Sequence, residues 1–214
     1  MKIFLTHAYY LNEDANELRI LKPYVPLGIL YISSYLKQHG FNVEIYDSTF
    51  KSFEDQKKKL IDEKPDVIAI YCNLMTKLNV LPLMKFIKSS GDFKKSKIVL
   101  GGPEPPFYSE EFLNAGADII VEGEGEVTMK ELCEELSMPE ADLSKINGII
   151  FKNEKCVTIK NPAREKVKDI DELPMPDRES INLNLYLDTW KNAHGYSSVS
   201  MNTMRGCPYT CRWC

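Results

Sequence analysis

Five short apolar runs punctuate the chain up to Val121: Lys2–Thr6 (KIFLT), Phe41–Tyr46, Asp66–Tyr71 (DVIAIY), Lys97–Leu100 (KIVL) and Asp118–Val121. Each is strand-length and bounded by turn formers, so each predicts a strand. Between them the hydrophobic period changes to that of a helix. Leu27–Gln38 carries Ile29, Ile32 and Leu36 at helical spacing, with Gly40 as its stop. Ser52 precedes a charged helix holding Phe53 and Leu60, and Asp55 stands where a capping box needs it. A third helix follows Cys72–Thr76, with Pro82 expected in its first turn and Phe86 and Ile87 inside. Ser109–Ala115 reads as a short helix closed by Gly116. After Glu122–Glu126, a last helix puts Met129, Leu132, Cys133 and Leu136 on one face. Tyr9–Arg19 is polar without a period and reads as a long loop, punctuated further on by Pro23 and Pro26.

Strands alternating with helices predict an α/β fold around a five-stranded parallel sheet. The strands are continuously apolar, as a sheet covered on both faces requires. In such sheets ligands bind beyond the carboxyl ends of the strands. The loops at those ends are Tyr9–Pro26, Cys72–Thr76, Gly101–Pro106 and Glu122–Glu126. Singly, Gly101-Gly102-Pro103 and Gly123-Glu124-Gly125 are no more than tight turns. Two such loops at neighbouring strand ends, where glycine lets backbone approach a ligand, point to a binding site. Farther on, Gly148–Phe151 and Cys156–Ile159 flank Asn153-Glu154 and predict a β-hairpin. Asp169–Arg178 contains Pro174 and Pro176 and reads as an extended linker.

Composition narrows the class. The net charge of −4 has both signs interspersed, which argues against a nucleic-acid surface. Lys57-Lys58-Lys59 is bracketed by acids and reads as a solvated helix face. No apolar stretch is long enough for a bilayer, and Lys2 precedes only a short apolar run, so a cytoplasmic protein with reduced thiols is expected.

Of the six cysteines, three stand within the last eight residues as C-x3-C-x2-C: Cys207, Cys211 and Cys214. A disulfide would strand one of them. A structural zinc site usually takes four ligands, and no fourth is nearby. Three thiolates on a cubic iron–sulfur cluster would leave one iron open to another ligand. Zinc, a redox pair and a cluster remain the alternatives on spacing alone. Cys133 belongs to an apolar helix face, Cys156 to the hairpin, and Cys72 to a strand end facing the expected site; core packing accounts for Cys133 better than a second cluster.

Thr203-Met204-Arg205-Gly206-Cys207-Pro208-Tyr209, with Trp213 in the aromatic place of C-x3-C-x-aromatic-C, resembles the cluster loop of the radical S-adenosylmethionine (SAM) enzymes. The resemblance implies that Cys207, Cys211 and Cys214 hold three irons of a 4Fe-4S cluster. It implies too that the fourth iron chelates SAM and that Trp213 lies against its adenine. One electron, from a donor such as a flavodoxin or ferredoxin, would then release a 5′-deoxyadenosyl radical. Tyr196–Met204, weakly alternating, would be the first barrel strand.

Pro26-Leu27-Gly28-Ile29-Leu30-Tyr31, Gly101-Gly102-Pro103 and Asn114-Ala115-Gly116-Ala117-Asp118 through Glu126 are similar to the cobalamin (B12)-binding domain that precedes many radical SAM barrels. That implies a flavodoxin-like (Rossmann-like) fold with the nucleotide tail of cobalamin beside the sheet. The implied contacts are Gly101, Gly102, Pro103, Gly123, Glu124 and Gly125, with Asn73 and Thr76 as further candidates. None of His7, His39 and His194 lies in an Asp-x-His-x-x-Gly pattern, so cobalamin is expected base-off without a histidine ligand.

The organisation expected is a cobalamin-binding-like unit at 1–140, a hairpin and linker at 141–195, and the start of a truncated radical SAM domain at 196–214. The function expected is methyl transfer to an unactivated carbon of a small molecule or peptide. This stretch alone, lacking most of the barrel, is expected to be inactive. Two alternatives stand beside it: a radical SAM enzyme whose sheet domain no longer binds cobalamin, and a non-catalytic B12 or nucleotide module with a terminal zinc or free-thiol site.

Overall fold

The computed structural model describes residues 1–206, 209 and 211. The five predicted strands are β1 (Lys2–His7), β2 (Asn42–Tyr46), β3 (Val67–Tyr71), β4 (Lys97–Gly101) and β5 (Ile119–Val121). They pair in parallel in the order β2-β1-β3-β4-β5, with Leu5 opposite both Ile45 and Ala69. The predicted hairpin forms β6 (Ile149–Lys152) and β7 (Thr158–Lys160). It extends the sheet antiparallel from β5, making seven strands. Its turn is longer than expected because Asn153 Oδ1 accepts the N–H groups of Lys155 and Val157, both at 3.0 Å.

Side-chain alternation divides the core into two layers. Ile3, Leu5, Ala69, Val99, Ile119 and Val121 face one side, and Phe4, Ile68, Ile70, Ile98, Leu100 and Ile120 face the other. On the first side lie α2 (Leu27–Gln38) and α6 (Gly125–Leu136), contributing Leu30, Leu36, Met129 and Leu132. On the second lie α3 (Phe53–Glu63), α4 (Lys77–Ser89) and α5 (Ser109–Asn114), contributing Leu60, Leu83, Met84, Ile87, Phe112 and Leu113. The capping box at Ser52 and Asp55 is formed. Among the described residues no helix is long and apolar enough to cross a membrane.

Four stretches differ from expectation. The Tyr9–Arg19 loop contains α1 (Ala15–Ile20), which begins because Asp14 accepts the N–H groups of Asn16 and Glu17. Pro82 lies inside α4 and not in its first turn. Asn73 and Thr76 start the helix early, with bonds from Lys77 N to Asn73 O and from Val80 N to Thr76 O. The linker is pinned: Asp177 N–H donates to the Leu30 carbonyl at 3.1 Å, and its carboxylate accepts from Ser33 and Lys37, each at 2.7 Å. Burial opposes ionisation of Asp177, but the bonds from Lys37, Ser33 and Ser180 outweigh it and hold its pKa below the usual value. Finally, Tyr196–Met204 is not a strand, since no segment among the described residues lies alongside to pair with it.

Within the stretch expected to be hairpin and linker lies an unpredicted helix, α7 (Leu183–His194), which docks on the sheet unit with Tyr186 buried and with Trp190 Nε1 donating to the Pro23 carbonyl at 2.9 Å. The Tyr186 hydroxyl donates to Asp47 Oδ2 at 2.8 Å and lies 2.8 Å from the Thr49 hydroxyl. The other Asp47 oxygen is 3.0 Å from His7 Nε2. His7 Nδ1 accepts the Tyr9 N–H at 3.2 Å, which puts the ring proton on Nε2, facing Asp47. Burial alone would raise the Asp47 pKa. The bonds from His7, Tyr186 and Thr49 reverse that and hold it at about 2, against an ordinary 3.8.

An acid ionised more readily when folded stabilises the fold above its unfolded pKa, and that contribution fades as pH falls through the folded value. Urea midpoints should therefore drop between about pH 4 and pH 2, and Asp47→Asn should flatten that limb. At neutral pH, Tyr186→Phe should cost about 1–3 kcal/mol in the same denaturation, because it leaves a buried carboxylate short of a donor.

Candidate functional site

The carboxyl ends of β1, β3, β4 and β5 open into a cavity of about 420 Å³ between the sheet, α2 and α6. Its floor is apolar: Leu5, Ala69, Val99 and Val121 from the strands, Ile29 from α2 and Met129 from α6. Its rim is Gly28 and Tyr31 of α2, Tyr71 of β3, the Gly101-Gly102 and Gly123-Glu124-Gly125-Glu126 turns, and the late stretch Asn202, Met204, Arg205 and Gly206. The opposite face of the sheet is filled at this edge, because Val80, Leu83 and Met84 of α4 pack there fully buried.

The rim glycines do different work. Gly102 has φ +103°, and an added Cβ would stand 2.4 Å from the Cys72 carbonyl oxygen. That close approach accompanies the bond from Cys72 N–H to the Gly101 carbonyl at 2.8 Å, which ties the β3 and β4 loops together. At Gly125 a Cβ would come within 2.8 Å of Ile32 Cδ1, so this glycine lets the start of α6 approach α2. At Gly101 and Gly123 a Cβ would meet nothing within 4 Å. Those two positions leave open volume at the cavity rim.

The acids of the last turn hold later chain. Glu124 Oε2 accepts the Val167 N–H at 2.7 Å. Glu126, buried in the first turn of α6, accepts from Arg205 Nη2 at 2.6 Å. The Arg205 guanidinium also lies over the Tyr31 ring, 4.9 Å from its centroid.

Of the eight residues expected to touch a cofactor, the structure gathers Gly101, Gly102, Gly123, Glu124 and Gly125 at one cavity. Pro103 is exposed and outside the lining. Asn73 and Thr76 also lie outside it. Asn73 Oδ1 accepts from Met75 N at 3.1 Å and Thr76 N at 3.0 Å, an Asx turn that starts α4. Gly28, Tyr31, Tyr71, Met129, Asn202 and Arg205 were not among the expected contacts. Gly28 and Tyr31 fall in the Pro26–Tyr31 stretch, and Arg205 falls in the approach to the cysteines, so both had a sequence signal.

Cys207, Trp213 and Cys214 lie outside the described residues; Cys211 is exposed. Cys72 does not face the cavity, contrary to expectation. Tyr71 takes the cavity side, so the next residue turns into the opposite core layer, and burial pushes its thiol up to about 12. Cys133 is buried in the other layer, its thiol likewise pushed up to about 12 by burial. Cys156 is exposed in the hairpin turn. These three cannot converge on one metal. His7 is committed to Asp47 and Tyr9, while His39 and His194 bond backbone carbonyls elsewhere.

The family model described as the B12 binding domain matches residues 18–133, more than half of the chain. An uncharacterized methyltransferase of Pyrococcus horikoshii, PH0819, is 28% identical over 193 residues, covering 88% of this chain and 40% of that protein. The hopanoid C-3 methylase of Methylococcus capsulatus is 25% identical over 219 residues, covering 100% of this chain and 39% of that protein. Among solved structures, the cobalamin-dependent S-adenosylmethionine radical enzyme OxsB, with aqua-cobalamin and S-adenosylmethionine bound, superposes with a TM-score of 0.80. Its identity is 26%, over 100% of this chain and 28% of that one. The chain thus spans 40% or less of the length of these relatives.

Gly102→Ala should lower stability by at least about 1–2 kcal/mol in urea denaturation, from the left-handed backbone alone, with the carbonyl clash added. Gly101→Ala, one residue away, should stay within about 0.5 kcal/mol of the parent.

Proposed function

The chain belongs to the B12 binding domain family, and from that premise we propose that it is the cobalamin-holding front of a radical SAM enzyme that methylates carbon. The observation that carries the reading is the composition of one cavity wall. Asn202, Met204, Arg205 and Gly206, in the stretch that leads straight into Cys207, line the same cavity as the Gly101-Gly102 and Gly123–Gly125 turns. A ligand held at the sheet edge and a cofactor held by Cys207, Cys211 and Cys214 would therefore be neighbours.

The residues present fit cobalamin. Gly101 and Gly123 leave room for a group to enter past the backbone. The floor of Leu5, Ala69, Val99, Val121 and Met129 suits an aromatic tail, and Tyr31 and Tyr71 supply ring faces at the rim. No histidine is among the lining residues, so in this reading nothing from the cavity ligates cobalt.

When bound, cobalamin supplies a transferable methyl group and the cluster supplies the electron that opens SAM. The chain's own part is placement. The β3 and β4 loops are locked together through Gly102, and Ile29 and Met129 add apolar surface to the floor. Cys207, Cys211 and Cys214 would bind as thiolates, with Trp213 against SAM. A substrate and a reduced electron carrier complete the partners in this reading.

Hydroxocobalamin added to this chain should bind with a change in its visible spectrum. Gly101→Val, which fills the open volume, should weaken that binding by about tenfold or more, equal to about 1.4 kcal/mol, while thermal stability holds. An unchanged spectrum at saturating concentration would remove cobalamin from the proposal. Anaerobic iron–sulfur reconstitution should give cluster absorbance that is lost in Cys207→Ala, Cys211→Ala and Cys214→Ala. Its absence from the parent would remove the radical SAM assignment.

A further inference from the structure

We infer that Glu126 and Arg205 form a clasp that seats the cysteine-bearing segment as the wall of the cavity, so that the wall and any ligand behind it are held together. The inference deepens the reading above and rests on it only for the identity of the ligand.

The two residues are far apart in sequence and meet at the cavity rim. Glu126 is nearly closed off from solvent, its side chain 6% exposed, and Arg205 is 20% exposed. A charge pair desolvated to this degree is directional, unlike the exposed ion pairs elsewhere on the surface. Glu126 also sits in the first turn of α6, where the helix dipole favours a carboxylate. Arg205 contributes a second contact through the Tyr31 face, so its guanidinium is fixed by groups from both α2 and α6.

Few other contacts could hold this stretch. From Tyr196 onward the chain has no helix or strand among its described residues. Arg178 Nη2 donates to the Ser200 carbonyl at 2.6 Å, which fixes the start of the approach. Arg205 fixes its end, one residue from the last described lining residue, Gly206. Met201 and Met204 between them are largely exposed. Among the described residues, the clasp is the side-chain hydrogen bond that ties residues 201–206 to the rim. Glu126 and Arg205 are thus positioning residues: through their pairing they set where the cysteine segment begins.

Trypsin reads the clasp directly, because it cuts after Arg205 only when that side chain is released. Cleavage tracks the open population when closing is fast. In the 214-residue chain, Glu126→Gln should speed cleavage at Arg205 by about tenfold or more, while cleavage at the exposed Lys168 stays as in the parent. Arg205→Lys, still able to pair with Glu126, should fall between the two. If Glu126→Gln accelerates cleavage everywhere, Tyr31→Leu decides, since it leaves the acid in place and must still expose Arg205 selectively. Equal rates at Arg205 in the parent and in whichever variant folds would overturn the clasp.

A second readout separates positioning from simple folding. Hydroxocobalamin should leave Glu126→Gln faster than the parent at matched melting temperatures; equal release rates would sever the wall from the ligand and overturn that half of the inference. A parent chain that binds no hydroxocobalamin counts against the cofactor reading, and the protease rates then decide the clasp by themselves.

Discussion

Parallel strands put the loops that follow them at a single edge of the sheet, and helix cover on both faces leaves that edge as the place where a ligand can enter. Here β1, β3, β4 and β5 all deliver their carboxyl ends there. Which face opens is then decided by the size of side chains. On the α4 side, large residues run up to the edge and fill it. On the other side, α2 and α6 begin with small residues, Gly28 and Gly125, and the space between them stays open. The cavity is what remains between two helices with glycine near their starts, over strand ends two of which run into glycine turns.

The later chain is attached by a further kind of force. The sheet unit is held by apolar burial, whereas residues 167–205 add to their apolar contacts at Tyr186, Ile181 and Leu183 a set of carboxylate bonds. Asp47 receives Tyr186, Glu124 receives the Val167 N–H, and Glu126 receives Arg205. Asp177, itself in the late chain, receives Ser33 and Lys37. Such bonds contribute modestly to net stability but are costly to leave half-made, so they specify position more than they add strength. Apolar packing tolerates sliding. A buried carboxylate with one donor aimed at it does not, and the segment leading to the cysteines is thereby given a defined place.

The same division explains what could be read in the sequence. The strands were legible because burial on both faces makes each one continuously apolar. The ends of α2 and α3 were legible because Gly40 and the Ser52–Asp55 box are local signals. The loops with glycine at the strand ends were legible, and five of the eight residues expected at cobalamin line one cavity. What was missed depended on partners distant in sequence. Asp177 looks like a linker residue until Ser33 and Lys37 are beside it. Tyr186 lies in a stretch read only as linker, and its role appears only when Asp47 accepts its hydroxyl. Asn73 and Thr76 were read as ligand contacts, yet they are used locally to begin α4, a role that competes for the same polar atoms.

The glycine turns at this edge invite comparison with phosphate-binding loops, and electrostatics argues against it. A helix N-terminus attracts an anion when its N–H groups face a ligand without competing negative charge. At α6 the chain places Glu124 just before the helix and Glu126 in its first turn, with Arg205 as the nearby cation on the rim. With the Lys166 ammonium near Gly206 as well, these charges largely cancel and no free cation is left facing the helix start. At α2 no acidic residue occupies the first turn, and the floor below is apolar. A polyanion would meet at one helix acids already occupying the N-terminal turn and their cations, and at the other no cation lining the cavity. A ligand with a broad, mostly uncharged body and an apolar tail meets neither obstacle, and the glycines serve to let that bulk pass the backbone.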